Sequence, residues 1–359
     1  MFRSRKEPIW THYHWQLCTL FAFLPYSLAY FGLTSKEPLV GYELGLPHQN
    51  IIQERIRNGH LKPAQLCNIF KLQRKQKKMC KRDKGVPEVL NEAIKLSVLG
   101  CQQQFRYERW NCTLGQYQLD ILKKGFKETS YLYAISSAGL VHSFAHACSR
   151  GILDRCTCDI SKRLRNKEAW KWGSCGDNIR YGLKFTRKFL RRAKRSGKDL
   201  RAKIDQHNTN IGIEVVRRNV NRTCKCYGVS GSCTTRTCWR QLAPFSKISA
   251  ILKEKYEKAV RVNSFSEQRL NSIGDNLRVK HNELLYIEKS PNFCRRTRYS
   301  SGISGRVCMK GENCKVMCCG RGYNVESIDV QKHCSCNVIS CCHVRCKICN
   351  TKHEVHTCK

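Results

Sequence analysis

The chain has 359 residues, 41% of them hydrophobic, with 66 Lys and Arg against 27 Asp and Glu, a formal net charge of +39 and 25 cysteines. The length allows two domains of ordinary size, and that hydrophobic fraction supports a real core and excludes a low-complexity or disordered chain. The charge calls for polyanionic surroundings, and the cysteines call for an oxidising compartment or a metal.

Arg3, Arg5 and Lys6 precede an apolar run from about Trp15 to Ala22 that continues past Pro25. Ser27-Leu28-Ala29 then supplies small residues at signal-peptidase spacing. The run is short for a bilayer-spanning helix and is broken by Pro25, so residues 1–29 are expected to be a cleaved secretory signal peptide. Cys18 leaves with it, and the remaining 24 cysteines, an even number, read as a set of disulfides in an exported chain. Cys346-Lys347-Ile348-Cys349 alone would suit zinc, but no second Cys/His pair of finger spacing accompanies it, so no metal is expected. Asn111-Cys112-Thr113 and Asn221-Arg222-Thr223 are sequons that agree with export and make Asn111 and Asn221 candidate glycosylation sites. Outside the cell the polyanion at hand is sulfated glycosaminoglycan, and nucleic acid is not an expected partner.

From about Pro87 to Trp110 apolar residues fall at helical spacing through Leu90, Ile94, Val98, Cys101 and Phe105, with Pro87 suited to the first turn. A second helix is predicted from Tyr131 to Cys148, with apolar and small residues nearly all round it, which marks it as the buried one. A third is predicted from about Ile179 to Arg195, a shorter one within Ile211 to Val220, and another from Phe245 to Val260. The polar, cysteine-free stretch from about Arg261 to Glu283 reads as a linker. Beyond it twelve cysteines fall between Cys294 and Cys358 with no helical period, so cross-links are expected to replace a core there. The expected division is therefore residues 1–29, signal peptide; 30–265, a helical domain; 266–285, linker; and 286–359, a cysteine-rich domain.

The segment Cys224-Lys225-Cys226-Tyr227-Gly228-Val229-Ser230-Gly231-Ser232-Cys233, followed by Cys238, suggests a hairpin clamped by nested disulfides, Cys226 with Cys233 inside Cys224 with Cys238. Spacing alone does not fix such pairing. Gly228 and Gly231 permit a tight tip that would hold Ser230 out into solvent. A serine-hydrolase elbow needs Gly-x-Ser-x-Gly between a strand and a helix, and Ser232 stands where the last glycine belongs. An ordinary turn serine is the other reading. Near the C-terminus a second ladder can be drawn, Cys334 with Cys349 and Cys336 with Cys346, which leaves the adjacent Cys341 and Cys342 at its tip. Val338, Ile339 and Val344 flank that tip and suggest either a contact surface or packing back onto the domain. Lys184, Arg187, Lys188, Arg191, Arg192, Lys194 and Arg195 form the densest cationic cluster, read as a heparan sulfate site in preference to a merely solvated helix face.

These segments resemble the Wnt family from about Cys67 to Lys359. The marks are Cys101-Gln102 through Phe105-Arg106, Arg109-Trp110-Asn111-Cys112-Thr113, Trp170-Lys171-Trp172-Gly173-Ser174-Cys175, and Cys224 to Trp239. Further marks are Ser290-Pro291-Asn292-Phe293-Cys294, Cys318-Cys319-Gly320-Arg321-Gly322 and the terminal His356-Thr357-Cys358-Lys359. The resemblance implies an α+β fold, with a helical saposin-like N-terminal domain carrying disulfide-stapled hairpins and a small cystine-knot-like C-terminal domain. It implies a secreted ligand, not an enzyme, found in the extracellular space and matrix after passage through the endoplasmic reticulum and Golgi. The partners it implies are the cysteine-rich domain of Frizzled receptors, an LRP-type co-receptor, heparan sulfate proteoglycans, and Porcupine and Wntless during secretion. No cofactor is implied beyond a covalent palmitoleoyl ester on Ser230.

By the same resemblance, Lys225, Tyr227, Gly228, Val229, Ser230 and Gly231 face the receptor from one fingertip, and Val338, Ile339, Cys341, Cys342 and Val344 from the other. It supports the nested pairs and adds Cys101–Cys112, Cys148–Cys156, Cys158–Cys175, Cys294–Cys319, Cys308–Cys314, Cys318–Cys358 and Cys341–Cys342, which leaves Cys67 to join Cys80. Asn111 matches a family glycosylation position. Two departures stand out: Tyr227 replaces the usual His beside the acylation site, and Asn337-Val338-Ile339-Ser340 replaces a stretch that is often aromatic, which implies a weaker or differently selective second contact.

Overall fold

A computed structural model describes residues 63–70, 72–112, 118–159, 175–190, 200–234, 236–262, 282–340 and 343–359. The expected signal peptide, residues 1–29, lies outside these. The fold is mixed α+β with eleven disulfides among the described residues.

Everything in the helical region is arranged around one rod. The small and apolar side chains that surround Lys127–Ser149 leave no polar face to present to water, so this helix, α5, is buried nearly from end to end. Five helices flank it in sequence: α1 Pro63–Ile69, α2 Arg74–Arg82, α3 Val86–Gln104 and α4 Gln118–Lys123 before it, and α6 Ile179–Phe189 after it. Helices α7 (Leu200–Arg218) and α8 (Phe245–Glu257) complete the set, and α3, α6, α7 and α8 all pack on α5. Close approach is written into the sequence at Gly212: a Cβ there would collide with the Ala134 carbonyl and the Ser137 hydroxyl. Phe144 of α5 stacks on Phe185 of α6 with ring centroids 3.7 Å apart.

The helices differ from their sequence-based limits in ways that have physical causes. Helix α3 stops at Gln104, where the chain turns so that Phe105 and Trp110 meet edge to face at 4.9 Å. Helix α6 closes at Phe189 with Leu190 as its C-cap, and residues 191–199 lie outside the described residues. Helix α7 begins at Leu200, well before Ile211, and ends at Arg218, since Val220 already belongs to a strand. Helix α8 ends at Glu257, and Val260–Arg261 forms strand β3.

Residues 263–281 are outside the described set. The chain re-enters with Leu284 and Leu285 buried, and Leu285–Tyr286 (β4) pairs in parallel with β3. Asn208 of α7 acts as an extra strand for it, donating to the Leu285 carbonyl and accepting from the Leu285 N–H, both at 2.9 Å. The following residues lie against the helices: the amides of Ile287 and Glu288 donate to the Gly125 carbonyl, and Phe293 enters the helical core. Beneath them Glu128 is buried and accepts hydrogen bonds from the hydroxyls of Tyr256 (3.0 Å) and Ser290 (2.5 Å). Burial is the main cause that holds the Glu128 carboxyl above its usual range.

The last part of the chain has a core of another kind. Ile303 and Met317 are buried among Cys308, Cys314, Cys318 and Cys358. From it projects a long antiparallel ribbon of β6 (Tyr323–Ser340) and β7 (His343–Cys358), with β5 (Val307–Cys308) on the far side of β7 and one short helix, α9 (Cys314–Met317). No described disulfide runs from this part to a helix of the helical region, although Cys294–Cys319 ties it to the segment that lies against those helices. The seam is polar instead: Arg306 donates to the carbonyls of Arg109 (2.6 Å) and Arg106 (3.0 Å), while Arg109 donates back to the Val316 carbonyl (3.1 Å).

Candidate functional site

Directly after α7 the chain forms a hairpin, β1 (Val220–Cys226) against β2 (Arg236–Leu242). The antiparallel register sets Cys224 opposite Cys238, and those two are bonded; Cys226 is bonded to Cys233 within the loop. Between the staples Val229–Gly231 makes a single tight turn, closed by the Ser232 N–H on the Val229 carbonyl at 3.2 Å. Gly228 is required at the turn's entrance, because a Cβ there would run into both main chain and side chain of Ser232. Ser230 sits at φ 57° and ψ 30°, a left-handed conformation that disfavours a residue with a Cβ by roughly 1 kcal/mol. The stapled loop holds it there. Val229 is 91% exposed and Ser230 is exposed, so the tip is an apolar side chain and a hydroxyl standing in solvent. Among the described residues no base is hydrogen-bonded to that hydroxyl. Tyr227 leans back along the hairpin, where its phenol oxygen accepts from Thr237 at 3.3 Å and its ring lies 5.4 Å from the Lys225 ammonium.

The hairpin is fixed at its root by a residue the sequence reading passed over. Asp177, just before α6, is buried and accepts from the Leu242 N–H (2.8 Å), the Ser149 hydroxyl (2.8 Å) and the imidazole Nδ1 of His146 (3.0 Å). Its own N–H donates to the Arg240 carbonyl at 2.9 Å. Burial pushes its carboxyl upward, but the hydrogen bonds from His146, Leu242 and Ser149 outweigh burial and hold it below the usual range. One helical turn earlier His142 meets the Ala243 carbonyl at 3.2 Å, so that imidazole nitrogen carries the proton. Burial holds the His142 pKa down. No periodicity or motif marks a loop aspartate as the bolt of a hairpin, which is why only the structure reveals it.

At the far end of the ribbon Cys334 is bonded to Cys349 and Cys336 to Cys346, with the register shifting between Cys334 and Asn337. Val338 and Val344 face each other across the strands at 73% and 56% exposure, and Ile348 adds a third exposed apolar residue that the sequence reading did not single out. These side chains do not pack back on the domain. Cys341, Cys342 and the side chain of Ile339 lie outside the described residues. The remaining disulfides are Cys67–Cys80, Cys101–Cys112, Cys148–Cys156, Cys158–Cys175, Cys294–Cys319, Cys308–Cys314 and Cys318–Cys358.

Of the candidate sugar-binding cations, Lys184, Arg187 and Lys188 are exposed on α6, and Arg191, Arg192, Lys194 and Arg195 are outside the described residues. Asn221 is exposed on β1 and Asn111 is half-buried beside Cys112.

Comparison with known proteins places these features in one family. Residues 68–359 match the model of the wnt family. The chain is 49% identical to Protein Wnt-9a of Gallus gallus over 346 residues, covering 93% of this chain and 95% of that one. It is 45% identical to Protein Wnt-9b of Homo sapiens over 355 residues, covering 96% and 97%. Among solved structures, human WLS in complex with WNT8A provides a match with TM-score 0.57 and 33% identity, covering 76% of this chain and 94% of that chain.

Proposed function

Because this chain belongs to the Wnt family of secreted signalling glycoproteins, whose members are ligands and not enzymes, we propose that it signals through a palmitoleoyl ester on Ser230 seated in the cysteine-rich domain of a Frizzled receptor. The observation that carries this reading is the exposed Ser230 hydroxyl on a tip stapled by Cys224–Cys238 and Cys226–Cys233, beside the solvent-facing Val229. Each buried CH₂ contributes about 0.8 kcal/mol, so a long acyl chain can contribute roughly 10 kcal/mol before ordering costs. The side chains at the tip are small and offer far less apolar area. Lys225, Tyr227, Gly228, Val229 and Gly231 surround the ester in this reading. Val338, Ile339, Val344 and the Cys341–Cys342 pair make a smaller second contact from the ribbon.

The acyl group is attached by the acyltransferase Porcupine, and Wntless carries the lipidated chain to the surface. The solved complex of WLS with WNT8A supports a carrier of that kind. An LRP-type protein serves as co-receptor, and heparan sulfate on the α6 cations holds the ligand at cell surfaces and in the matrix. The helical part is saposin-like and the cysteine-rich part cystine-knot-like, behind a signal peptide of residues 1–29 that is cleaved in the endoplasmic reticulum. The domains run over residues 30–265 and 286–359, with 266–285 as the linker, and residues 284–293 at this junction lie against the helices. Asn111 and Asn221 carry glycans.

Replacing Ser230 by Ala tests the reading. Ser230 is exposed, so Ser230→Ala is expected to keep the disulfides and the melting temperature while Frizzled cysteine-rich-domain binding falls by several orders of magnitude. Binding by Ser230→Ala within a few-fold of the parent would reject it.

A further inference from the structure

Helix α2 carries Arg74, Lys75, Lys77, Lys78, Lys81 and Arg82 in nine residues, and no candidate site so far has used it. We propose that α2 and α6 together form one binding surface for a linear sulfated polysaccharide. The proposal rests on the reading of the α6 cations as a glycosaminoglycan site and adds α2 as its other half.

The two helices lie side by side and antiparallel. Near one end the Gln76 side-chain amide of α2, itself buried, donates to the Phe189 carbonyl at the close of α6 (3.1 Å). Near the other end Tyr181, in the first turn of α6, lies within electrostatic reach of Arg82 and Asp83. Cys80 of α2 is bonded to Cys67 and buried in the helical core, so α2 is pinned in this position. On α6, Arg180, Lys184, Arg187 and Lys188 are exposed; on α2, every cation is exposed except the half-buried Lys77. The two helices thus meet through Gln76 and Phe189, and each carries exposed cations.

This arrangement works against the fold, which is why it points to a ligand. Arg74 with Lys78, Lys77 with Lys81, and Lys78 with Arg82 are like-charge pairs at i,i+4, each of which destabilises an isolated helix by a few tenths of a kcal/mol. Arg180 with Lys184 and Lys184 with Lys188 repeat the pattern on α6. Among the described residues the one ion pair on either helix joins Arg82 to Asp83. Among the described residues no acid pairs with the rest of that charge. A polyanion that displaces its counterions across two helices supplies the compensation. A membrane surface is the less suitable partner: a helix lying on lipid presents large apolar residues beside its cations, and none of the exposed large hydrophobic residues lies on α2 or α6.

The test compares the secreted full-length protein with Lys75→Glu/Lys78→Glu on α2, Lys184→Glu/Lys188→Glu on α6, and the two combined. Heparin binding is measured across a salt series. The α2 variant is expected to lose about tenfold or more in affinity and to show a shallower dependence of log K on log salt, with the combined variant weaker still. If the α6 variant weakens binding and the α2 variant matches the parent, the two-helix surface is overturned while the α6 site stands. If neither variant differs from the parent, both readings fall. Loss of capture by phosphatidylserine vesicles with unchanged heparin binding would make the surface a membrane contact and overturn the proposal. Should the reversed charges impair secretion, Lys75→Gln/Lys78→Gln gives the same readout with a smaller change in slope.

Discussion

Between Pro63 and Val262 the chain buries Tyr131, Leu132, Phe144 and Leu90 around one central helix; beyond Gly302 it buries little more than Ile303 and Met317, set among four disulfide-bonded cysteines. The first region keeps its shape because apolar area leaves water, with its disulfides as reinforcement. The second has too little interior for that, and its ribbon is exposed over nearly its whole length. Each region nevertheless ends in a stapled hairpin tip that carries exposed apolar side chains. Similar presenting devices have thus been built on two different sources of rigidity, and perturbations should separate them.

The largest effect is expected in the helical core. Phe144→Ala removes a ring stacked on Phe185 and should destabilise the protein by about 3–5 kcal/mol, lowering hydrogen-exchange protection across the core helices. Cys358→Ser opens the Cys318–Cys358 link, which spans 40 residues, and should lower stability by about 2–4 kcal/mol. Its protection loss should be confined to residues 303–358; equal loss in α5 would show that the regions do not stand apart.

A smaller effect belongs to Glu128, which joins Tyr256 of α8 to Ser290 in the segment that lies against the helices. Burial raises its pKa in the folded state, so the folded protein holds this proton more tightly than the unfolded one. The associated stability is present below the ordinary carboxylate pKa and is lost as pH rises through the raised value. Glu128→Gln should remove that decline in a series of denaturant midpoints against pH, and a profile parallel to wild type would contradict it. The smallest effect is at Glu214, where hydrogen bonds from Arg217, then Arg218, pull the pKa to about 2 at a half-buried site whose arginine partners are exposed. Glu214→Gln should cost no more than about 0.5 kcal/mol at neutral pH, measured by thermal melting.

The comparison also explains what could be read from the sequence. The buried helix was legible because Tyr131 to Cys148 has no polar face. Helix α7 reads short because its first half docks largely through polar groups, Arg201 on the Leu122 carbonyl and Asn208 on Leu285, with Ile204 as its one buried large apolar side chain. Helix α2 escaped notice because six cations in nine residues look like a solvated run; Cys80 and Gln76 anchor it. The strands β6 and β7 were illegible for a related reason: with both faces in solvent, alternation has nothing to record. The Ser230 hairpin is legible as a candidate from its glycines and cysteines, whose nested pairing the family resemblance supports, but the Asp177 bolt at its root lies 65 residues from its Leu242 partner.

The most direct test of the central claim is the intact mass of the secreted chain, taken before and after mild base hydrolysis and followed by fragment mapping. A fatty acyl mass on the peptide containing Ser230 that disappears on hydrolysis is the expected result. A secreted, receptor-activating protein whose Ser230 peptide has only its amino-acid mass would contradict it.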